Sequence, residues 1–313
     1  MDFVLSDEET RPFEPSLVWV GDIDPKVATN VLKSFDKHYS VRDLMHLKRI
    51  RRVENEQGET VLCVILAMVS AATESDLAAF ISSSNLAVSN LRQVGVSKWP
   101  PLTLAQYHAW KDSWPMYWRE SAARKDPMSD VDRKFITGLM RELCNEAGQT
   151  GHPTSCSAAV AFDPATKRIV ARAVDTRTST GHPLAHAAMN LIAAVAAANQ
   201  KSADDASAVA VDESSDSGTV SRKRRSADAL YMCTGLTVVL THEPCIMCSM
   251  ALLHSRVGGV VYGLAAPRTG GMGSVVKVHT ERGLNHKFLA WRRCAEERVR
   301  QVFGEVRDQD WHY

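Results

Sequence analysis

The sequence predicts an α/β chain of two domains. Its 313 residues suit two domains better than one small one. An apolar fraction of 45% and a charged fraction of 23% are those of a folded protein. Strand-like and helix-like segments alternate along its length, and Pro100-Pro101 interrupts them about a third of the way in. The first domain, with its connector, is read as residues 1–120 and the second as 127–313.

In the first domain Leu17-Val18-Trp19-Val20 is strand-like, and Pro25 to Phe35 reads as a helix with Asp24 at its N-cap and Pro25 at N1. His46 to Val53 is ambiguous, because Leu47, Ile50 and Val53 fall three apart. Val61 to Val69 is a β-branched buried strand. Thr73 and Asp76 open a helix to Ser82 in a capping-box-like arrangement, and Leu91 to Ser97 is a closing strand. The order β-α-β-β-α-β is the ferredoxin-like pattern of an α+β domain. After the prolines, Tyr107, Trp110, Trp114, Tyr117 and Trp118 form an aromatic segment. Two readings are open for it: a connector helix packing its rings onto a domain, or a set of rings for base stacking.

In the second domain Ser129 and Asp132 cap a helix through Glu146. Strands follow at Ala158–Phe162 and Arg168–Val174, joined by the turn Asp163-Pro164-Ala165-Thr166. A helix runs from near Leu184 to about Ala198. Residues 201–228 are mostly Ser, Ala, Asp and Glu, with no aromatic residue, and are expected to stay disordered. They end near the basic run Arg222 to Arg225, which suits an import signal, an RNA-contacting arm or a solubilising loop. Then come a strand at Leu236–Leu240, a helix at Cys245–Leu253, a strand at Val257–Tyr262 and a last helix at Ala290–Phe303.

A net charge of +1 offers no global field for nucleic acid, so any RNA-binding face must be a local patch. The acidic start of the chain is unlike a signal peptide, and the best apolar runs fall well short of the roughly 20 residues of a membrane span, so no membrane partner is expected. Seven cysteines argue against a disulfide framework and for reduced thiols in the nucleus and cytoplasm.

The informative residues are His186 and the run Thr241-His242-Glu243-Pro244-Cys245-Ile246-Met247-Cys248. Two cysteines three apart at a helix N-terminus can reach one ion, and the positive end of the helix favours their thiolates. A histidine at the start of another helix supplies a third ligand, a set that Zn2+ accepts. A lone C-x-x-C would be a moderate signal. Here the second half of a four-ligand structural site is absent, and the surroundings are unlike a thioredoxin-type redox pair.

This pattern resembles the zinc cytidine/deoxycytidylate deaminase superfamily, whose signature is H-x-E followed by P-C-x-x-C. Within it, the chain is most similar to the eukaryotic heterodimeric tRNA adenosine deaminases, on His182-Pro183-Leu184 with His186, Tyr231 to Gly235, Thr241 to Cys248, Met250 to Leu252 with His254-Ser255-Arg256, and Leu284 to Phe288. The resemblance implies a three-layer α/β/α domain around a mixed sheet, with the zinc ligands on two helix N-termini. The family spacing between histidine and cysteines is shorter, and the expected disordered segment accounts for the excess.

Ala188 stands where active members carry the glutamate that shuttles protons between the attacking water and the base. Glu243 is the nearest carboxylate, but the family has one there as well, which suggests a local hydrogen-bonding role. The resemblance implies a non-catalytic subunit that pairs with a glutamate-bearing deaminase subunit and helps hold a tRNA whose wobble adenosine becomes inosine. An active zinc-dependent cytidine or nucleotide deaminase working as a homo-oligomer is the alternative, against which Ala188 and the extra N-terminal domain both speak.

Lys48, Arg49, Arg51 and Arg52 are candidate tRNA contacts on the same resemblance; by themselves they read equally as a solvated face, since Glu54, Glu56 and Glu59 follow closely. The chain ends Asp310-Trp311-His312-Tyr313. Three ligands leave zinc one open position. The Tyr313 carboxylate or His312 is a candidate to cap it; simple packing of Trp311 and Tyr313 on the last helix is the competing expectation.

Overall fold

The computed structural model describes residues 1–54, 60–119, 125–149, 157–208 and 232–304. It separates into two compact units, one of residues 7–125 and one of residues 1–6 with 126–313. The expected N-terminal boundary at residue 1 is thereby corrected. β1 (Asp2–Phe3) pairs with residues 291–292, the Val4 N–H donates to Ala290 O at 2.9 Å, and the Phe3 and Trp291 rings lie 5.6 Å apart. The first six residues thus complete the sheet of the second unit.

After α1 (Asp7–Thr10), the unit of residues 7–125 runs β2 (Pro15–Ile23), α2 (Ala28–His38), β3 (Ile50–Glu54), β4 (Thr60–Met68), α3 (Glu74–Ser83), β5 (Ser89–Ser97) and α4 (Leu104–Trp110). Its sheet order is β3-β4-β2-β5, antiparallel throughout, which is the ferredoxin-like arrangement. The ambiguous segment resolves as β3, whose Ile50 sits opposite Val64. Asp24 caps as expected, its carboxylate accepting from Lys26 N at 2.7 Å. The chain first makes a 3-10 turn at Pro25–Val27 before α2 begins. Thr73 and Asp76 form a reciprocal capping box that starts α3. Side chains alternate across the strands. Trp19, Val64 and Leu66 pack with Val31 and Phe35 of α2 and Leu77 of α3, while Val18, Val20 and Ile65 face Trp110, Trp114 and Met116.

The second unit carries α5 (Asp130–Gln149), β6 (Ala158–Phe162), β7 (Ile169–Val174), α6 (Arg177–Thr180), α7 (Ala187–Ala208), β8 (Thr237–His242), α8 (Ile246–His254), β9 (Gly259–Leu264), β10 (Leu289–Arg292) and α9 (Glu296–Phe303). The sheet order is β1-β10-β9-β8-β6-β7, with β8, β9 and β10 parallel and the remaining pairs antiparallel. Ala159, Ala161, Val238, Leu240, Val260 and Tyr262 point to α7 and α8. Their neighbours Val160, Phe162, Val239, Val261 and Trp291 point to α5 and α9. Both faces are covered, so this is a three-layer α/β/α domain with a mixed sheet.

Two expectations are corrected here. Residues 290–292, expected to open the last helix, belong to the strand Leu289–Arg292, because Ala290 and Trp291 are buried on opposite faces beside β9. The segment expected to be disordered from residue 201 is helical through Ala208, since its alanines extend an already nucleated helix. Residues 209–228, with Arg222 to Arg225, lie outside the described residues, as do Tyr231, Cys156, His312 and Tyr313.

Candidate metal centre

α7 begins at Ala187, three residues later than expected, so His186 stands immediately before its first turn; the Asn190 N–H donates to His186 O at 2.9 Å. Cys245 is the N-cap of α8 and Cys248 lies in its first turn. Two helix N-termini therefore present the three candidate ligands to one point. Their ligand atoms lie within 4.8 Å of one another, and His186 Nδ1 is 3.9 Å from Cys245 Sγ. A tetrahedral zinc with bonds of about 2.1–2.3 Å needs ligand atoms roughly 3.5–3.8 Å apart. The set fits such an ion with a small contraction.

The electrostatics favour a thiolate. Cys245 is drawn below the usual thiol range, first by the hydrogen bond from Cys248 and then by His186, against the opposing effect of burial. Cys248 moves upward, because its proton is shared with Cys245 and because it is buried. The pair thus holds one negative charge beside an imidazole at the positive ends of two helices.

Ala188 is buried and packs in the core cluster that contains Ala187, Leu191 and Cys248. Glu243 is 1% exposed, and both carboxylate oxygens are fully used. Oε1 accepts from Met272 N at 2.9 Å and Ser274 N at 3.0 Å. Oε2 accepts from Ala266 N at 2.9 Å and from the Ser274 hydroxyl. A carboxylate has about four acceptor sites, so none remains for chemistry. The loop that it holds passes against the ligand segment: Ile246 N donates to Thr269 O at 3.0 Å, and Gly271 N to Pro244 O at 2.9 Å. A Cβ on Gly270 would lie 2.3 Å from the Glu243 carboxyl carbon, and one on Gly271 2.4 Å from Ser249 Oγ. Only glycine admits this approach.

Sequence reasoning missed that loop, although three glycines within Gly270-Gly271-Met272-Gly273 were a signal for close backbone approach. It also missed Asn190. Its side-chain amide nitrogen lies 2.8 Å from Val174 O, 2.9 Å from Thr176 Oγ1 and 3.2 Å from Ala185 O, tying down the segment that delivers His186. Asp175 and Arg177 form a buried ion pair on that segment, with Nη2–Oδ2 at 2.8 Å. A polar residue four positions after His186 in an alanine-rich helix was the available sign.

The four basic candidates of the other unit differ in their surroundings. Lys48 and Arg52 are exposed. Arg49 is ion-paired with Asp36 at 3.0 Å, and burial lowers its pKa. The Arg51 guanidinium lies 4.7 Å from the Trp114 ring centre. The aromatic segment also divides. Trp110 and Trp114 are buried, Tyr107 and Trp118 stack on each other at 5.2 Å, and Tyr117 faces solvent. Among the described residues no helix is long and apolar enough to cross a membrane, and the six described cysteines are free.

Comparison with known proteins agrees with both units. Residues 16–114 match the family described as the tRNA-specific adenosine deaminase TAD3 N-terminal domain. Residues 133–264 match the cytidine and deoxycytidylate deaminase zinc-binding region. The chain is 32% identical over 295 residues to the tRNA-specific adenosine deaminase subunit tad3 of Schizosaccharomyces pombe, covering 92% of this chain and 87% of that one. It is 29% identical over 319 residues to the "Probable inactive tRNA-specific adenosine deaminase-like protein 3" of Mus musculus, covering 96% and 90%. With the tRNA-specific adenosine deaminase subunit TAD3 of Saccharomyces cerevisiae it shares 27% over 304 residues, covering 90% and 84%. A ferredoxin-like unit, a deaminase-type pair of ligand-bearing helices and similarity along almost the whole chain lead to one conclusion: the chain belongs to the family of tRNA-specific adenosine deaminase TAD3 subunits.

Proposed function

We propose that this chain is the non-catalytic, tRNA-binding subunit of a heterodimeric deaminase that converts adenosine to inosine at the wobble position of tRNA anticodons. The observation that carries the reading is a candidate metal-ligand set that, among the described residues, has no acid or base at position 188. His186, Cys245 and Cys248 converge, position 188 is alanine, and Glu243 spends every acceptor on its own loop.

In this reading His186, Cys245 and Cys248 hold Zn2+, which when bound supplies Lewis acidity to the pocket. Among the described residues, position 188 offers no group that could complete a deamination. Loss of ammonia needs a group that moves protons to the base, worth roughly 10²- to 10⁴-fold in rate, and a methyl group at 188 moves none. The metal therefore serves the fold: it ties α7 to α8 across the end of the sheet, much as a structural zinc site does. Adenosine is deaminated by the partner, a subunit bearing the glutamate, while this chain contributes the ferredoxin-like unit to grip the tRNA body. We place the complex in the nucleus and cytoplasm, in keeping with the free thiols.

The test is purification with and without a glutamate-bearing partner, followed by inosine measurement on full-length tRNA. Inosine from the pair alone supports the reading; robust deamination by the isolated chain sinks it and favours the homo-oligomeric enzyme.

A further inference from the structure

We propose that Tyr117 is a stacking platform for an unpaired RNA base, with Lys48 beside it to hold the adjoining phosphate. The proposal rests on the reading of this chain as a tRNA-binding subunit and assigns that role a particular ring.

Tyr117 is 64% exposed, unusual for an aromatic ring, yet its backbone is pinned. Its N–H donates to His46 O at 2.7 Å, and the Lys48 N–H donates to Pro115 O at 2.8 Å. Leu47 and Met116 form an antiparallel bridge between these bonds. Beneath them the fully buried Trp114 donates its indole N–H to Lys48 O at 2.6 Å. The two short segments are thereby locked in register. A ring held out on such a ladder loses little conformational freedom when something docks on it.

The chemistry around the ring selects the occupant. The Lys48 ammonium stands 5.9 Å from the Tyr117 ring centre, and its side chain is exposed. A cation lying over one side of a largely exposed ring is the combination that takes one nucleotide, with the base on the ring and the phosphate on the charge. The neighbouring rings are committed elsewhere. Tyr107 and Trp118 are nearly parallel, 16° apart, and cover each other. Trp110 and Trp114 are in the core. Tyr117 is the ring of that aromatic segment that stands in the open.

The test uses the complex of the full chain with its glutamate-bearing partner, titrated with fluorescently labelled full-length tRNA at several salt concentrations. Tyr117→Ala should weaken binding about ten-fold, the loss of one stacked base, with the slope of log K against log salt unchanged. Tyr117→Phe should bind like wild type, because the ring and not the hydroxyl is used. Lys48→Ala should flatten the slope by about 0.7–0.9, the loss of one phosphate contact. Wild-type affinity in Tyr117→Ala overturns the proposal, as does a Phe variant as weak as the Ala variant. Loss of the partner subunit from the Tyr117→Ala complex also overturns it, marking the ring as a protein contact. Failure of the wild-type complex to bind tRNA overturns the underlying reading, and this assignment with it.

Discussion

The Glu243 carboxylate accepts a hydrogen bond from the Met272 backbone N–H at 2.9 Å, joining the ligand segment to a loop nearly thirty residues further along. With Ala266 and Ser274 it leaves three backbone donors dependent on one buried side chain. Glu243→Ala should therefore destabilise the chain by about 3 kcal/mol or more, since each buried N–H left without an acceptor costs about 1–3 kcal/mol. Gly270→Ala should act in the same direction by driving a methyl into the carboxylate. Thermal unfolding would show both. A Glu243→Ala chain with an unchanged Tm would mean that the loop is not held this way.

Metal removal should unfold more than a pocket. Apparent zinc binding energies reach about 10 kcal/mol or more in small structural sites, and here the candidate ligands stand at the starts of two helices that pack on one face of the sheet. Cys245→Ser or chelation should lower Tm and metal content together. Metal analysis of the folded complex that finds no zinc would remove this prediction's basis. Ala188→Glu should restore little deamination, because reacting groups need more than a carboxylate in place.

Arg49 and Arg52, three apart in sequence, should separate in their effects. Arg49 is half-buried against Asp36, so Arg49→Ala should cost about 1 kcal/mol of stability, through lost packing of its stem as well as lost charge. Arg52 is exposed, and Arg52→Ala should leave Tm alone while reducing the salt dependence of tRNA binding. Equal effects of the two substitutions on Tm and on binding would contradict this division.

Two buried imidazoles give the chain an acid-sensitive core. Burial lowers both His242 and His279 from 6.5 to about 4. Between those values the unfolded chain binds more protons than the folded one, so stability rises with pH across that window. It is fully present above about 6.5 and is lost as pH falls toward 4, at up to about 1.4 kcal/mol per pH unit for each group. Denaturant titrations at pH 7, 6 and 5 should show this loss, and His279→Phe should reduce its slope. A flat profile from pH 7 to 5 would argue against neutral buried histidines.

What the sequence disclosed was local chemistry. Thr73 and Asp76 announce α3 because the capping box is written within four residues. His186, Cys245 and Cys248 could be picked out because metal ligation demands particular side chains at particular helix starts. The rest depended on distant partners. Leu289 to Arg292 has no readable period, since Ala290 and Trp291 are buried on opposite faces, and only its pairing with β9 makes it a strand. The end of α7 was misplaced because a polar composition says little about whether an existing helix continues. The role of Glu243 was invisible in detail, as its donors come from residues 266–274. The four basic residues looked alike until Asp36 and Trp114 engaged two of them.

The pairing of Asp2 with Arg292 makes the ferredoxin-like unit an insertion within the second domain rather than a bead strung before it. The outermost strand of the six-stranded sheet comes from one end of the chain, and its neighbour comes from near the other. During synthesis that edge must wait for residues 289–292 to emerge, long after residues 7–125 are free to fold. A closure spanning some 290 positions would be entropically slow in an open chain. The inserted unit, once folded, shortens the effective loop, so its folding should speed the closure of the domain that carries the candidate ligands. Damage to the ferredoxin-like unit would then reach the distant sheet as incomplete maturation, without altering a single contact among His186, Cys245 and Cys248.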